Sequence, residues 1–215
     1  MPDTASSTQK AYHALRDQIL GADLMPGDRL KVDVLKEALE TSASPVREAL
    51  SLLVSDQPVE RINRRGFRVA SVSAEQFDEV LALRCALEDM ALRQCLQRTD
   101  VAWEETLVLT HHRLARAPRD GTVAYEALHK QFHMALLANC GSPILLKFCD
   151  QLYDLNIRYR QLAARSGGYG ARDVAGEHED ILDAAVSRDV ERAVTALMQH
   201  YRGTGRYLAE LFEYL

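Results

Sequence analysis

The chain lacks the features that would place it in several large classes. Its four cysteines, Cys85, Cys95, Cys140 and Cys149, form no C-x-x-C pair, which excludes a zinc ribbon and a thioredoxin-like redox motif. They read as reduced thiols, because a core built from 215 residues needs no disulfide staples. No apolar run approaches the ~18 residues of a membrane span. Met1 to Lys10 is polar, without the apolar segment of a signal peptide. A cytoplasmic protein with no membrane partner is expected. Internal repeats and low-complexity tracts are missing, and so is an excess of positive charge: the net charge is −5.

The charge is unevenly spread. Residues 1–70 hold ten Lys/Arg and ten Asp/Glu, so the remaining 16 basic and 21 acidic residues carry the whole imbalance. Within the neutral part, Arg61, Arg64, Arg65 and Arg68 sit together with no acid between Arg61 and Arg68. A local basic patch of this kind can bind phosphate even on an acidic protein.

The first 70 residues read as three helices and a hairpin. Tyr12, Leu15, Ile19 and Leu20 recur at helical spacing up to Gly21, and Met25-Pro26-Gly27 makes a turn. A second helix carries Val34, Leu35, Ala38 and Leu39. A third, with Val46, Ala49, Leu50 and Leu53 on its apolar face, is expected to start with Ser44 as N-cap and Pro45 at the first helical position. Val59 and Ile62, then Phe67 and Val69, alternate like two strands around Asn63-Arg64-Arg65-Gly66. This is the pattern of a winged helix-turn-helix over residues 1–72, with a boundary between Ala70 and Ala74. In such a domain the start of the second helix of the motif faces base edges. Here that start holds Ser42, Ala43, Ser44 and Arg47. An outward arginine can bind guanine bidentately; the alternative for Arg47 is a surface pair with Glu40 or Glu48. Arg64, Arg65 and Gly66 suit a wing tip, arginines for phosphate or minor groove and glycine for the turn.

From residue 73 to 215 the pattern is helical throughout. Helices are predicted at 75–98, 100–117, 121–139, 143–165, 173–186 and 189–213, with Gly203 and Gly205 as candidate kinks in the last. The fold class is therefore mostly α: a winged helix followed by an all-α antiparallel bundle of about six helices.

Four of the seven histidines stand out. His129 and His133, four residues apart, share one helix face, as metal chelation needs. Alone, the pair is a weak signal, and two solvated or hydrogen-bonded histidines are the plainer reading. His178 and His200 flank the predicted break at Ser187 to Asp189 at roughly 13 and 17 Å along their helices. A helical hairpin there would set them nearly level, facing His129 and His133 across the bundle.

Two stretches carry a family resemblance. The segments LRDQILGADLMPGDRL, SASPVREALSLL and RRGFRV resemble the winged-helix domain of the GntR family of bacterial regulators over residues 10–72. The resemblance implies that Ser42, Ser44, Arg47, Arg65 and Gly66 approach a palindromic double-stranded DNA operator, and that the protein is a homodimer. The family often has arginine where Ala43 stands, and Glu-Gly-Leu where Asp56-Gln57-Pro58 stands. The first difference removes a base contact. The second removes the usual glycine turn and leaves Pro58 to end the helix.

The segments LRCALEDMAL, HKQFHMALL and EHEDILDAAVSRDVERAVTALMQHY are similar to the FCD ligand-binding domain of the FadR branch. The resemblance implies a divalent metal at His129, His133, His178 and His200, with His129 where the family most often has aspartate. Four imidazoles favour zinc or nickel over magnesium or calcium. It further implies a small carboxylate effector beside the metal. Arg84 would line that cavity and could grip a carboxylate bidentately, or pair with Glu88 four residues on. Arg158 and Tyr159 are further candidates, whereas Asn139, Tyr153 and Tyr169 read as structural. The expected function is a DNA-binding transcriptional regulator, a repressor, controlled by a small organic acid. The alternatives are a direct metal sensor and a zinc-dependent enzyme, although no general base stands at a telling spacing and Glu177 is expected on another face than His178.

Overall fold

The computed structural model describes residues 5–62, 66–119, 122–165 and 172–212. The chain forms two compact units, Met1–Ser73 and Ala74–Leu215. In the first, α1 (Ser7–Leu20) opens with a capping box: the Ser6 hydroxyl accepts from the Gln9 amide, and the Gln9 side chain accepts from the Ser6 amide. There follow β1 (Arg29–Leu30), α2 (Val32–Ala38), α3 (Ala43–Ser55), β2 (Val59–Ile62) and β3 (Gly66–Val69). Leu15, Ile19, Val46, Leu50, Leu53, Val59 and Val69 close the core between helices and sheet. Each such buried aliphatic side chain stabilises the unit by about 1.5–3 kcal/mol.

Several details differ from the sequence reading. The sheet has three strands, in the order β1-β3-β2, with Arg29 opposite Arg68 and Val59 opposite Val69. A strand of two residues is too short to show alternation, so β1 left no periodic signal. Val34 is exposed and outside the core. Helix α3 starts earlier than its apparent cap. Ser42 holds the N-cap position, and Pro45 sits within the first turn, where its missing N–H has no intrahelical partner to lose. The Ser44 hydroxyl donates to Glu48 Oε1 at 3.2 Å. At the far end the helix stops at Ser55, and the reversal is made by Gln57 in the left-handed region, at φ +76°.

The second unit comprises α4 (Ala74–Leu96), α5 (Val101–Arg116), α6 (Val123–Leu137), α7 (Pro143–Arg165), α8 (Val174–Val186) and α9 (Val190–Phe212). The side chains of Asp100, Thr122 and Asp173 cap α5, α6 and α8 by accepting from Trp103, Tyr125 and Gly176 amides. Leu92, Leu107, Phe132, Leu136, Ile181 and Leu197 are fully buried in the core. The Trp103 indole donates to the Ala135 carbonyl at 2.9 Å, fixing α5 to α6. The turn between α8 and α9 forms at the predicted break. Helix α9 runs unbroken through both of its expected kink glycines. Gly205 permits a close approach instead: a Cβ there would lie 2.4 Å from Leu81 Cδ2 on α4. None of the described helices is long and apolar enough to cross a membrane.

The left-handed backbone at Gln57 is one that glycine adopts without cost. Gln57→Gly is expected to stabilise the full chain by about 0.5–1 kcal/mol, read as a higher urea midpoint for the N-terminal unit. A lower midpoint would mean that the glutamine side chain contributes more than its backbone costs.

Candidate functional site

Helix periodicity delivers the four histidines to one place. His129 and His133 lie one turn apart on α6, and the hairpin of α8 and α9 brings His178 and His200 level, with ring centroids 4.7 Å apart. All four are buried, none more than 4% exposed. His129 Nε2 is 3.1 Å from His178 Nε2 and 3.1 Å from His133 Nε2, and one ligand atom from each of the four lies within 4.8 Å of the others. In a tetrahedral zinc site with Zn–N near 2.0–2.1 Å, neighbouring nitrogens sit about 3.3 Å apart. The donor set therefore suits a four-coordinate borderline cation in both chemistry and size.

Around the rings stand three arginine–glutamate pairs. Arg84 and Glu88, one turn apart on α4, pair at 2.6 Å and are both buried. The Tyr201 hydroxyl on α9 bonds to Glu88, and its oxygen lies 3.0 Å from His133 Nδ1. Arg172 pairs with Glu177, whose Oε2 takes His200 Nδ1 at 2.7 Å. Arg160 on α7 donates to Glu126 Oε1 at 2.9 Å and lies 3.0 Å from His129 Nδ1, which also meets the Tyr153 hydroxyl. Carboxylates and hydroxyls behind ligating imidazoles fix tautomer and ring orientation.

Among the described residues, two buried polar atoms in this shell lack a hydrogen-bond partner, Arg84 Nη2 and Glu126 Oε2. The Arg84 guanidinium is held between aromatic faces, 4.0 Å from the Tyr201 ring centroid and 4.8 Å from that of Tyr153. Its Nη1 donates to Asn156 at 3.1 Å. Of the two roles expected for Arg84, the pair with Glu88 is formed, and its Nη2 has no hydrogen-bond partner among the described residues.

Arg158 is buried, but the α7 arginine that lies against His129 Nδ1 is Arg160. The reason is helical phase: at 100° per residue, position 158 points about 140° away from Tyr153, whereas 160 returns to within about 20° of it. Tyr153, read as structural, touches His129. Glu177, expected to face elsewhere than His178, serves His200. That partnership depends on a contact between helices, so neighbours in the sequence gave no sign of it.

Electrostatics keep the cluster neutral. Burial pushes the His178 imidazole down to about 2 and His200 to about 4, the latter opposed by Glu177. His129 and His133 lie well below the usual histidine range, through burial first and then through Arg160 beside His129 and the neighbouring rings beside His133. Burial raises the Glu126 carboxyl in spite of Arg160. Hydrogen bonds from His200 and Arg172 outweigh burial at Glu177 and hold it below the usual range.

In the first unit, Ser42, Ser44 and Arg47 are exposed at the start of α3, and Gly66 opens β3 with φ +105°, which favours glycine. Arg64 and Arg65 lie outside the described residues. Glu48 is occupied by the Thr8 and Ser44 hydroxyls. Of the basic patch, Arg68 pairs with Glu60, and Arg61 donates to Ser51 and stacks over Phe67.

These units define a winged-helix DNA-binding protein with an all-α C-terminal domain. The model of the gntR family of bacterial regulatory proteins matches residues 7–69, and the FCD domain model matches residues 79–203. The chain is 37% identical over 202 residues to the uncharacterized HTH-type transcriptional regulator BphR of Paraburkholderia xenovorans, covering 91% of this chain and 82% of that one. It is 29% identical to the HTH-type transcriptional repressor GlaR of Escherichia coli, over 88% of this chain and 90% of the relative. The solved structure of E. coli McbR/YncC shares the fold, with a TM-score of 0.84 at 24% identity over 97% of this chain and 100% of that one. The chain belongs to the GntR family, with an FCD domain, and is a DNA-binding transcriptional regulator rather than an enzyme.

The neutral cluster sets a pH dependence. Below about pH 6.5 the unfolded chain protonates each of these histidines while the folded chain does not, so stability is full above that pH and falls as pH drops toward the folded values. The loss is about 1.4 kcal/mol per histidine per pH unit. Urea midpoints of the metal-free protein should fall steeply from pH 7 to pH 5. A flat profile would contradict four buried neutral imidazoles.

Proposed function

We propose that this regulator is a repressor whose grip on a palindromic operator, as a homodimer, is set by a small carboxylate effector bound beside a divalent metal, zinc or nickel. His129, His133, His178 and His200 would hold the ion. The observation that carries the reading is the unpartnered Nη2 of buried Arg84 next to four histidine donors. When bound, the ion supplies positive charge that neutral ligands leave undiminished, which favours an anion. Arg84 then offers its free donor to a carboxylate oxygen, while Glu88 and Asn156 hold the guanidinium in place. Arg84 and Glu88 lie on α4, which follows directly from the N-terminal unit in the chain. A shift of α4 is therefore the route by which effector binding would change the readers, provided the effector binds the two states with different affinity. The name of GlaR as a repressor supports repression here.

Elemental analysis and operator binding test this together. The purified protein should carry about one zinc or nickel per chain, lost in His133→Ala and His178→Ala. Small carboxylates should shift operator affinity of the wild type and not of Arg84→Gln. A response to metal alone, with no organic acid effective, would replace the effector reading by direct metal sensing.

For DNA, we propose that Ser42, Ser44 and Arg47, with Arg64, Arg65 and Gly66 of the wing, make the contacts. Arg47→Ala should cost about 1–3 kcal/mol of operator affinity and relax preference at one base pair. An equal loss on operator and random DNA would assign Arg47 to phosphate instead.

A further inference from the structure

We infer that His133 and His200 are preset to take the cation, whereas His129 is held out of ligation by Arg160, which acts as a latch on its position in the cluster. The inference rests on the metal reading above and concerns how that site is regulated.

Hydrogen-bond polarity separates His129 from its neighbours. A guanidinium has only donors. Arg160 Nη1 lies 3.0 Å from His129 Nδ1, and the same group is anchored through Nη2 to Glu126 Oε1 at 2.9 Å. For the first contact to be a hydrogen bond, Nδ1 must present its lone pair. The single hydrogen of the neutral ring then sits on Nε2. The Tyr153 hydroxyl at the same Nδ1 can donate or accept, so it is compatible with either tautomer. Arg160 is not.

The other rings are set the opposite way. Tyr201 gives its hydrogen to Glu88, so its oxygen accepts from His133 Nδ1–H, and the His133 lone pair is left on Nε2. Glu177 accepts from His200 Nδ1–H, with the same result. His129 Nε2–H therefore points at the His133 Nε2 lone pair, 3.1 Å away, and His178 Nε2, at the same distance, accepts it equally well when its own hydrogen is on Nδ1. It is a donor aimed at the centre of the cluster, and it stands in for the cation. A nitrogen that carries a hydrogen cannot ligate. Moving that hydrogen to Nδ1 would face it against an Arg160 N–H in the core.

Arg160 must leave before His129 can become a ligand. An anion that draws the guanidinium off Nδ1 leaves Tyr153 free to accept from Nδ1–H and turns the His129 lone pair toward the ion. Anion binding and metal binding then reinforce each other, and the coupling is reciprocal.

The test combines tautomer spectroscopy with a double-mutant cycle in the full-length protein. Nitrogen-15 shifts of the metal-free wild type should show His129 protonated at Nε2, and His133 and His200 at Nδ1. Arg160→Met should tighten zinc and cobalt(II) binding by about tenfold, against the 10–100-fold weakening usual when a supporting partner of a ligand is lost. The cobalt spectrum should gain a histidine ligand. The same Arg160→Met change in a His129→Leu background should bring no gain, whereas simple removal of positive charge would bring the same gain in both. A His129 protonated at Nδ1 in the metal-free wild type, or equal gains in the two backgrounds, overturns the latch alone. A wild type that takes up no metal overturns the metal reading itself.

Discussion

Four imidazoles buried in one bundle core impose a constraint that the surrounding structure is built to meet. A buried polar ring must find hydrogen-bond partners, and a buried charge must be paired. The rings stay neutral because burial disfavours their charged form, and three arginines around them are paired with carboxylates: Arg84 with Glu88, Arg160 with Glu126, Arg172 with Glu177. Buried ion pairs of this kind are weak stabilisers, since desolvation offsets most of their attraction. Their value lies in orientation. Two of the glutamates reach histidine Nδ1 atoms, one directly and one through Tyr201, and so decide which nitrogen faces the centre.

The same constraint organises the helices. Helices α4, α6, α7, α8 and α9 each contribute a side chain to the cluster or to its first partners, while α5 closes the core through Trp103 and Leu107. Gly205 lets α9 approach α4 closely, with Leu81 where a side chain would otherwise stand. A shift of one helix would disturb several hydrogen bonds at once. The proposed control by a bound ligand would act through this dependence of several helices on one centre.

In the N-terminal unit the division of labour among arginines is informative. Arg61 and Arg68 look in sequence like part of one basic patch. In the fold they serve the wing itself: Arg68 crosses to Glu60 on the neighbouring strand, and Arg61 covers Phe67 and bonds to Ser51 on α3. Arg47, exposed at the start of α3 while Glu48 is engaged by Thr8 and Ser44, remains available to an outside partner.

Sequence alone determined the features that depend on local periodicity and on residue type. The helices of both units, the winged pattern and the grouping of His129, His133, His178 and His200 were legible because apolar spacing of 3.6 residues, turn residues at the breaks and a hairpin of matched arm lengths carry that information within short windows. The two-residue strand β1 and the close approach at Gly205 were not, since each exists only through a partner far along the chain, and the left-handed turn at Gln57 was not, since a glutamine carries no signal for that backbone. The same holds within the site. Arg160 rather than Arg158 faces His129, Glu177 serves His200, and Tyr153 and Tyr201 enclose Arg84, because helical phase and crossing geometry select among residues that look equivalent in sequence. Residue types fixed which donors were present; tertiary packing decided which nitrogen of each ring points inward, since hydrogen-bond polarity is set by the group behind the ring.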